Sequence, residues 1–226
     1  MVNLPILILC AGFGKRMLNL TSNTPKPLLK INNKTMLENT INFFQSIGCD
    51  NFYINTHYKY YKIKNYIINK FHKQNINLIY EPKILGTGGA IKNIFNYTKS
   101  KNICVVNADI YWKNKNKIDI INFLQDFKKV EYCKLLLSSE KNFFGLKKEY
   151  GDFNIQNNIV SKWIKGNKVF YFSGCQIISK NVFNKKMKIF SINKIWDELI
   201  IQQNLKGNLS NSDILHIGDK NAFDEL

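Results

Sequence analysis

The apolar and polar positions in the first half of the chain follow two alternating patterns. Short apolar runs that end at glycine or polar residues are typical of buried strands, whereas apolar residues three and four positions apart are typical of helices. These patterns predict strands at 4–10, 51–55, 76–80 and 102–106, and helices at 36–47, 58–71, 87–97 and 118–127. Repeated strand–helix units predict right-handed crossovers and a mostly parallel sheet.

After about residue 130 the pattern changes to hairpin-like segments with asparagine and glycine turns. We expect strands at 131–137, 151–156, 159–164, 169–178 and 214–217, and helices at 193–204 and 219–226. No low-complexity linker or repeat interrupts the sequence. The pattern therefore predicts a single α/β domain over 1–226, with a first part at 1–130 and a small α+β lobe at 131–226.

Composition narrows the class of protein. The chain has 226 residues, of which 45% are hydrophobic, enough for a full core. No apolar run approaches the roughly 20 residues that cross a bilayer, and the N-terminus lacks a basic leader. We therefore expect a cytoplasmic protein that does not bind membranes. The five cysteines are widely spaced without a C-x-x-C pair, so free buried thiols are expected.

The formal net charge of +17 would suit a polyanionic partner. However, the lysines are spread along the whole chain and no nucleic-acid-binding motif accompanies them, so we expect no binding to nucleic acid. Arg16 is the only arginine. Because a guanidinium offers a fixed planar fork that lysine lacks, its retention indicates a specific contact at that position.

The first strand ends at a glycine-rich turn, Cys10-Ala11-Gly12-Phe13-Gly14, followed by Lys15 and Arg16. Glycines at this spacing let backbone N–H groups approach a phosphate. The turn lacks the third glycine of a dinucleotide fingerprint and is not a Walker A loop, so an ordinary strand–helix turn is the alternative. Downstream, Pro25 and Pro27 flank Lys26 and predict an extended, rigid segment that fixes its ammonium group.

Six sequence blocks follow one another in order. They are L-x-A-G-x-G-x-R-M at 9–17, P-K-P-L at 25–28, Glu81 with L-G-T-G-G-A at 85–90, V-N-A-D at 106–109, Y-G-D-F at 150–153 and F-S-G at 172–174. Together they resemble the sugar-phosphate nucleotidyltransferases. The nearest resemblance is to uridylyltransferases of N-acetylmuramate 1-phosphate and to guanylyltransferases of mannose or heptose 1-phosphate. This resemblance implies a Rossmann-like α/β/α sandwich with a sugar-binding lobe after residue 130.

The resemblance also implies roles for individual residues. The residues expected to contact the nucleotide are Ala11, Gly12, Gly14, Lys15, Arg16, Gly86 and Thr87. Lys26 would hold the transferring phosphoryl group, and Asp109 would bind Mg²⁺. The residues expected to contact the sugar phosphate are Asn107, Gly151, Asp152, Ser173 and, by a looser match because the acidic–Lys–Pro triplet is missing, Lys165. A solvated hairpin-turn lysine is the alternative for Lys165.

One position departs from the family pattern. Where many members have a second metal-binding aspartate two residues before a glycine, this chain has His216 before Gly218. A neutral imidazole can bind a metal but suits Mg²⁺ less well than oxygen does. Asp213 and Asp219 are alternative second ligands. The substitution also leaves open a non-catalytic nucleotide- or sugar-binding module.

The resemblance predicts an Mg²⁺-dependent enzyme that forms an NDP-sugar and pyrophosphate from an NTP and a sugar 1-phosphate. UTP with an amino-sugar 1-phosphate is the first expectation, GTP with mannose or heptose 1-phosphate the second, and CTP with an alcohol phosphate the third. The phosphate oxygen of the sugar is already ionised at neutral pH, so the reaction needs no general base. The sequence leaves open whether the protein is a monomer or a homodimer.

Overall fold

The computed structural model describes residues 4–145, 150–183 and 188–225. In this part of the chain the strands are β1 (Ile6–Leu9), β2 (Lys30–Ile31), β3 (Lys34–Thr35), β4 (Asn51–Thr56), β5 (Asn75–Tyr80), β6 (Asn102–Asn107), β7 (Ile110–Tyr111), β8 (Cys133–Ser139), β9 (Phe143–Phe144), β10 (Phe153–Gln156), β11 (Ile159–Lys162), β12 (Phe170–Ser179), β13 (Leu205–Ser210) and β14 (Ile214–His216). The α-helices are α1 (Met36–Ser46), α2 (Tyr60–Phe71), α3 (Gly86–Ile94), α4 (Lys117–Gln125), α5 (Asn193–Ile201) and α6 (Lys220–Asp224).

A nine-stranded mixed sheet forms the centre, in the order β10-β11-β13-β8-β12-β6-β1-β4-β5. The strands β6, β1, β4 and β5 are parallel. The long strand β12 then pairs antiparallel with both β6 and β8, which joins the two halves of the chain in one sheet. The predicted α/β fold is confirmed. The four strands from the first half pair in parallel as expected, and the antiparallel pairs of β12 make the whole sheet mixed.

Both faces of the sheet are covered. Ile6 and Ile8 of β1 pack into one apolar cluster with residues of α1, α2 and α4, whereas Leu7 packs into a second cluster with residues of α3 and α5. Because successive side chains of a strand point to opposite faces, a continuous apolar run such as this one suits a strand covered on both sides.

Several elements differ from the sequence-based prediction, among them two in the last part of the chain. The helix predicted at 193–204 ends at Ile201, and residues 205–210 form the unpredicted strand β13. This segment contains glycine and asparagine, which are depleted in strands, and it is held by parallel pairing with β8. At Gly207 a Cβ would lie 2.6 Å from Val160, so the neighbouring strand requires glycine there. The predicted terminal helix shortens to Lys220–Asp224.

All five cysteines are buried and none forms a disulfide, as expected. The two nearest sulfur atoms, those of Cys104 and Cys175, lie 3.8 Å apart. Among the described residues, no helix combines the length and apolar character that crossing a bilayer requires.

Candidate functional site

A cavity of about 510 Å³ opens at the carboxyl ends of β1, β4, β5 and β6. Ligands of open α/β sheets bind at such strand ends. The predicted residues that line it are Ala11, Gly12, Gly14, Lys15, Arg16, Lys26, Gly86, Thr87, Asn107 and Asp109. The structure therefore brings ten positions from four sequence blocks to one cavity, whereas Gly151, Asp152, Lys165 and Ser173 lie outside its lining.

The glycine-rich turn forms one wall of this cavity. Gly14 has a φ of 68°, and a Cβ there would lie 3.0 Å from Thr21 and 3.1 Å from Lys26, so both conformation and space favour glycine. Nothing lies within 4 Å of a Cβ built on Gly12. The protein itself therefore does not require glycine at position 12, which leaves room for a ligand to approach the backbone.

Lys26 lies between its two prolines, but the backbone differs from the predicted extended form. After an extended Pro25, residues Lys26–Leu28 form a single 3₁₀ turn, which is compatible with proline because Pro27 lies in its first turn. The Lys26 Nζ donates to Asp109 Oδ2 at 2.8 Å and to the Gly218 carbonyl oxygen at 3.1 Å. The ammonium group is thereby fixed at the cavity wall.

Asp109 is the carboxylate that lies beside the cationic side chains of the site. Burial acts to raise its pKa, but Lys26, His216 and Arg16 outweigh burial and hold the pKa of this carboxyl below its ordinary value. The His216 Nε2 lies 3.8 Å from Asp109 Oδ2. Asp109 is thus an ionised carboxylate surrounded by cationic or polar groups.

One oxygen atom of the site is open to a cation such as Mg²⁺. Asp109 Oδ1 is buried and has no hydrogen-bond partner among the described residues, so one carboxylate oxygen is available to a cation. Within the same part of the chain, no three His, Cys, Asp or Glu side chains cluster into a protein-only metal site. Mg²⁺ typically binds through one or two carboxylates together with substrate phosphates and water. The site fits Mg²⁺ held by Asp109 and a bound triphosphate.

The three candidates for a second metal ligand differ in their surroundings. Asp213 forms an ion pair with Lys115, and the Asp219 Oδ1 caps helix α6 by accepting from the Ala222 N–H at 3.0 Å. His216 is the candidate that contacts Asp109. Its ring is held close to Gly218, where a Cβ would lie 2.3 Å from the imidazole.

The turn at Gly86 and Thr87 forms the opposite wall. Gly86 has a φ of 71°, and a Cβ there would lie 2.6 Å from the Phe190 carbonyl oxygen. The Thr87 Oγ1 accepts from the Ile192 N–H at 3.0 Å. The N–H groups of Gly88 and Gly89 both donate to the Phe190 carbonyl oxygen. Backbone groups of Phe190 and Ile192 therefore hold this turn in place through hydrogen bonds.

A second cavity, of about 680 Å³, contains Gly151 and Asp152. Its other lining residues are Tyr150, Phe153, Lys162, Trp163, Phe172, Asn193, Trp196 and Asp197. A Cβ on Gly151 would lie 2.7 Å from the Trp163 ring, so glycine lets the indole pack against the backbone. Asp152 Oδ2 accepts from the Phe172 N–H at 3.0 Å. Aromatic faces combined with carboxylates and an amide suit a polyhydroxylated ring.

Two predicted sugar contacts are not supported by the geometry. Ser173 is fully buried and its Oγ donates to the Leu136 carbonyl oxygen at 2.7 Å, so its hydroxyl belongs to the sheet interior. Lys165 is exposed in the turn after β11 and lines neither of the two cavities. Among the cavity residues that the sequence interpretation did not single out are Asn55, Trp163, Asn193, Trp196 and Asp197. A polar residue at the end of an apolar strand was an available signal for Asn55.

The family described as "Nucleotidyl transferase" has a sequence model that matches residues 6–156, more than half of the chain. The chain belongs to the nucleotidyl transferase family. The match begins at β1 and extends through Gly151 and Asp152, so it includes most of the residues that line the first cavity.

Two curated relatives of this family member carry the same name, D-glycero-alpha-D-manno-heptose 1-phosphate guanylyltransferase. The protein from Aneurinibacillus thermoaerophilus is 38% identical over 103 residues, which is 46% of this chain and 45% of the relative. The protein from Campylobacter jejuni is 28% identical over 189 residues, covering 79% of this chain and 77% of the relative. The matched part thus spans less than half the length of the first relative.

Solved structures share the fold of this nucleotidyl transferase family member over its whole length. HddC from Yersinia pseudotuberculosis superposes with a TM-score of 0.76 at 22% identity, covering 98% of this chain and 97% of that one. An inositol-1-phosphate CTP transferase from T. maritima gives a TM-score of 0.78 at 14% identity, covering 98% and 92%. At these identities the likeness concerns the fold.

Proposed function

We propose that the chain transfers a nucleotidyl group from an NTP to a sugar 1-phosphate, with release of pyrophosphate. The observation that carries this proposal is the convergence of Lys26, Asp109, Arg16 and the glycine-rich turn on one cavity. Such an arrangement holds a polyphosphate and balances its charge. Positioning and charge stabilisation are the main requirements of phosphoryl-type transfer.

The proposed reaction is an in-line displacement at the α-phosphorus. An ionised phosphate oxygen of the sugar 1-phosphate forms the new P–O bond, and the bond between the α-phosphorus and the bridging oxygen breaks, so pyrophosphate leaves with that electron pair. When bound at Asp109, Mg²⁺ supplies neutralisation of phosphate charge. Lys26 donates from a fixed position at the cavity wall. The backbone at Gly12, with open space before it, accommodates the phosphates.

We place the nucleotide in the first cavity and the sugar in the second. Strand β12 runs from one cavity toward the other. Phe172 lines the second cavity, and a Cβ built on Gly174 would lie 3.3 Å from the Cβ of Asn107, which lines the first. The sugar ring would lie against Trp163, with Asp152, Asn193 and the Lys162–Asp197 ion pair lining the same cavity. The phosphate of the sugar would then point toward Asn107 and the nucleotide.

GTP with a heptose or mannose 1-phosphate is the substrate pair we favour, since both relatives described above are named for guanylyl transfer to a heptose 1-phosphate. This reverses the order expected from the sequence, where UTP with an amino-sugar 1-phosphate came first.

The test is pyrophosphate release by the purified chain with Mg²⁺. GTP, UTP and CTP are each paired with heptose 1-phosphate, mannose 1-phosphate, N-acetylmuramate 1-phosphate and phosphocholine. We expect the highest kcat/KM for GTP with one of the first two sugars. Turnover of UTP with the amino sugar alone would restore the earlier order. Nucleotide binding without turnover of any pair would instead support a non-catalytic binding module.

A further inference from the structure

A buried carboxylate lies in the floor of the first cavity and has no part in the transfer described above. Glu81, at the end of β5, is 2% exposed, and its neighbour Asn55, at the end of β4, is 3% exposed. Glu81 Oε1 accepts from Asn55 Nδ2 at 2.8 Å. Glu81 Oε2 accepts from the Leu85 N–H at 3.1 Å, and Asn55 Oδ1 accepts from the Cys10 N–H at 2.9 Å.

These three hydrogen bonds form a chain, called the relay below, that runs from the Cys10 N–H through Asn55 and Glu81 to the Leu85 N–H. The order of donors and acceptors along this relay is fixed. Both ends of the relay are backbone N–H groups, which can only donate, so Asn55 must turn its oxygen to Cys10 and its NH₂ to Glu81. Glu81 then faces one donor on each oxygen. A carboxylate satisfies both, whereas a glutamine amide would place its NH₂ against one of them. The relay therefore requires an acceptor-only group at position 81.

The two N–H groups at the ends of the relay belong to the two turns that form opposite walls of the first cavity. Cys10 begins the glycine-rich turn, and Leu85 precedes Gly86 and Thr87. The backbone of Glu81 is anchored as well, because its carbonyl oxygen lies 2.7 Å from His57 Nδ1. Buried side-chain networks that are fully satisfied hold their elements in one arrangement.

We propose that Glu81 is a positioning residue that sets the separation between the glycine-rich turn and the Gly86–Thr87 turn. One NTP would span this separation, with its phosphates at one turn and its base at the other. This inference rests on the proposed function of the same cavity. In this proposal Glu81 keeps the two turns in position through its hydrogen bonds to Asn55 and Leu85, and it does not contact one particular base.

The relay can be broken and rebuilt by moving the carboxylate. In Glu81→Gln one buried N–H donor loses its acceptor, which is unfavourable. If the two turns shift as a result, NTP affinity should fall roughly tenfold or more. In the double variant Asn55→Asp with Glu81→Gln the polarity is restored. The carboxylate, now at position 55, would accept from the Cys10 N–H and from the amide NH₂ at position 81. The amide oxygen at position 81 would accept from the Leu85 N–H. Asn55→Asp alone places two carboxylates side by side.

The measurements are equilibrium binding of GTP and UTP, and hydrogen exchange at the amides of Cys10 and Leu85. We expect Glu81→Gln to weaken the binding of GTP and of UTP by a similar factor. Hydrogen exchange at the amide of Cys10, of Leu85 or of both should become faster. The double variant should regain affinity to within about threefold of the unaltered chain, a non-additivity expected of directly bonded groups. Glu38→Gln is the matched control, because Glu38 is also a buried glutamate, 6% exposed, but lies outside the cavity lining.

Three outcomes would overturn the inference. Glu81→Gln with unchanged affinity for both nucleotides and unchanged exchange would show that the relay does not hold the walls. A loss confined to one nucleotide would indicate a direct base contact. If the double variant folded but bound nucleotide as weakly as Glu81→Gln, the proposed order of donors and acceptors would be contradicted. If the unaltered chain bound no nucleotide, the proposed function would fail, while the exchange data would still test the relay itself.

Discussion

The Lys26 ammonium donates to the Asp109 carboxylate across 2.8 Å, although the two residues lie 83 positions apart in the chain. Lys26 comes from a proline-flanked turn and Asp109 from the end of the buried strand β6. The contact unites the cation that would hold a transferring phosphoryl group with the carboxylate that fits Mg²⁺. It joins two distant sequence blocks at the wall of the first cavity.

Arg16→Lys should lower kcat/KM by roughly tenfold or more, equivalent to about 1.4 kcal/mol of transition-state stabilisation. A single ammonium cannot reproduce the two parallel hydrogen bonds of a guanidinium to phosphate oxygens. Steady-state kinetics with varied NTP give the ratio. Lys59→Arg, a change at a partly exposed position outside the cavity lining, is the control. Unchanged kinetics for Arg16→Lys would remove the argument from the only arginine in the sequence.

Gly12→Ala and Gly14→Ala should separate binding from stability. Gly12 has open space around a Cβ, so Gly12→Ala should leave the free energy of unfolding within about 0.5 kcal/mol while weakening NTP binding. Gly14 has a φ of 68°, so Gly14→Ala should cost about 1–2 kcal/mol of stability. Denaturant unfolding and nucleotide titration measure the two effects. Full NTP affinity in Gly12→Ala would indicate that phosphates do not approach this turn.

Trp163→Ala should raise KM for the sugar 1-phosphate by roughly tenfold, since it removes an aromatic wall of the second cavity. KM for the NTP should stay within about twofold, which serves as the internal control for folding. Trp163 is the better choice of the two tryptophans, because the Trp196 indole N–H donates to the buried Gln176 Oε1 at 3.0 Å and its loss would disturb the core. An unchanged sugar KM would place the sugar elsewhere.

Glu38 should make the stability of the fold depend on acid pH. Burial acts to raise its pKa, but the hydrogen bond from Tyr66 and the charge of Lys70 outweigh burial and lower the pKa. A lowered folded-state pKa stabilises the fold above the unfolded value of about 4.3, and this contribution is lost as pH falls through the folded value. Glu38→Gln should therefore be least stable relative to the unaltered chain near neutral pH, with the gap closing in acid.

Unfolding in denaturant between pH 7 and pH 3 tests this dependence. Tyr66→Phe removes the hydroxyl that donates to Glu38 Oε2 at 2.7 Å and should reproduce part of the loss. A gap between Glu38→Gln and the unaltered chain that widens on acidification would reverse the sign of the expected effect.

The sequence was sufficient for the fold class and for most of the first cavity. Apolar runs predict the buried strands, and glycine or polar residues after each run mark the carboxyl end of the strand. Because ligands bind at these ends, the local pattern already places Gly12, Gly14 and Asp109 at one edge of the sheet. Strand β13 could not be predicted in this way. Its residues have low strand propensity, and it forms because β8 provides a partner.

Contacts between distant segments were also beyond local pattern. The burial of Ser173 depends on the register of β12 against β8, because its hydroxyl reaches the Leu136 carbonyl oxygen of the neighbouring strand. Likewise, Glu81 was visible as part of a sequence block, but its relay to Cys10 needs β4 and β5 to end side by side. Residue identity carried the hypothesis about the chemistry, while strand register decided which groups line the cavities.

The most direct test is Mg²⁺-dependent pyrophosphate release by the unaltered chain and by Asp109→Asn, each with the best substrate pair. Asp126→Asn is the control, since Asp126 pairs with Lys129 on the surface. We predict that Asp109→Asn loses roughly 10²–10³-fold in kcat while remaining folded, and that Asp126→Asn keeps full activity. A rate for Asp109→Asn close to that of the unaltered chain would contradict the assignment of this carboxylate, and with it the proposed site.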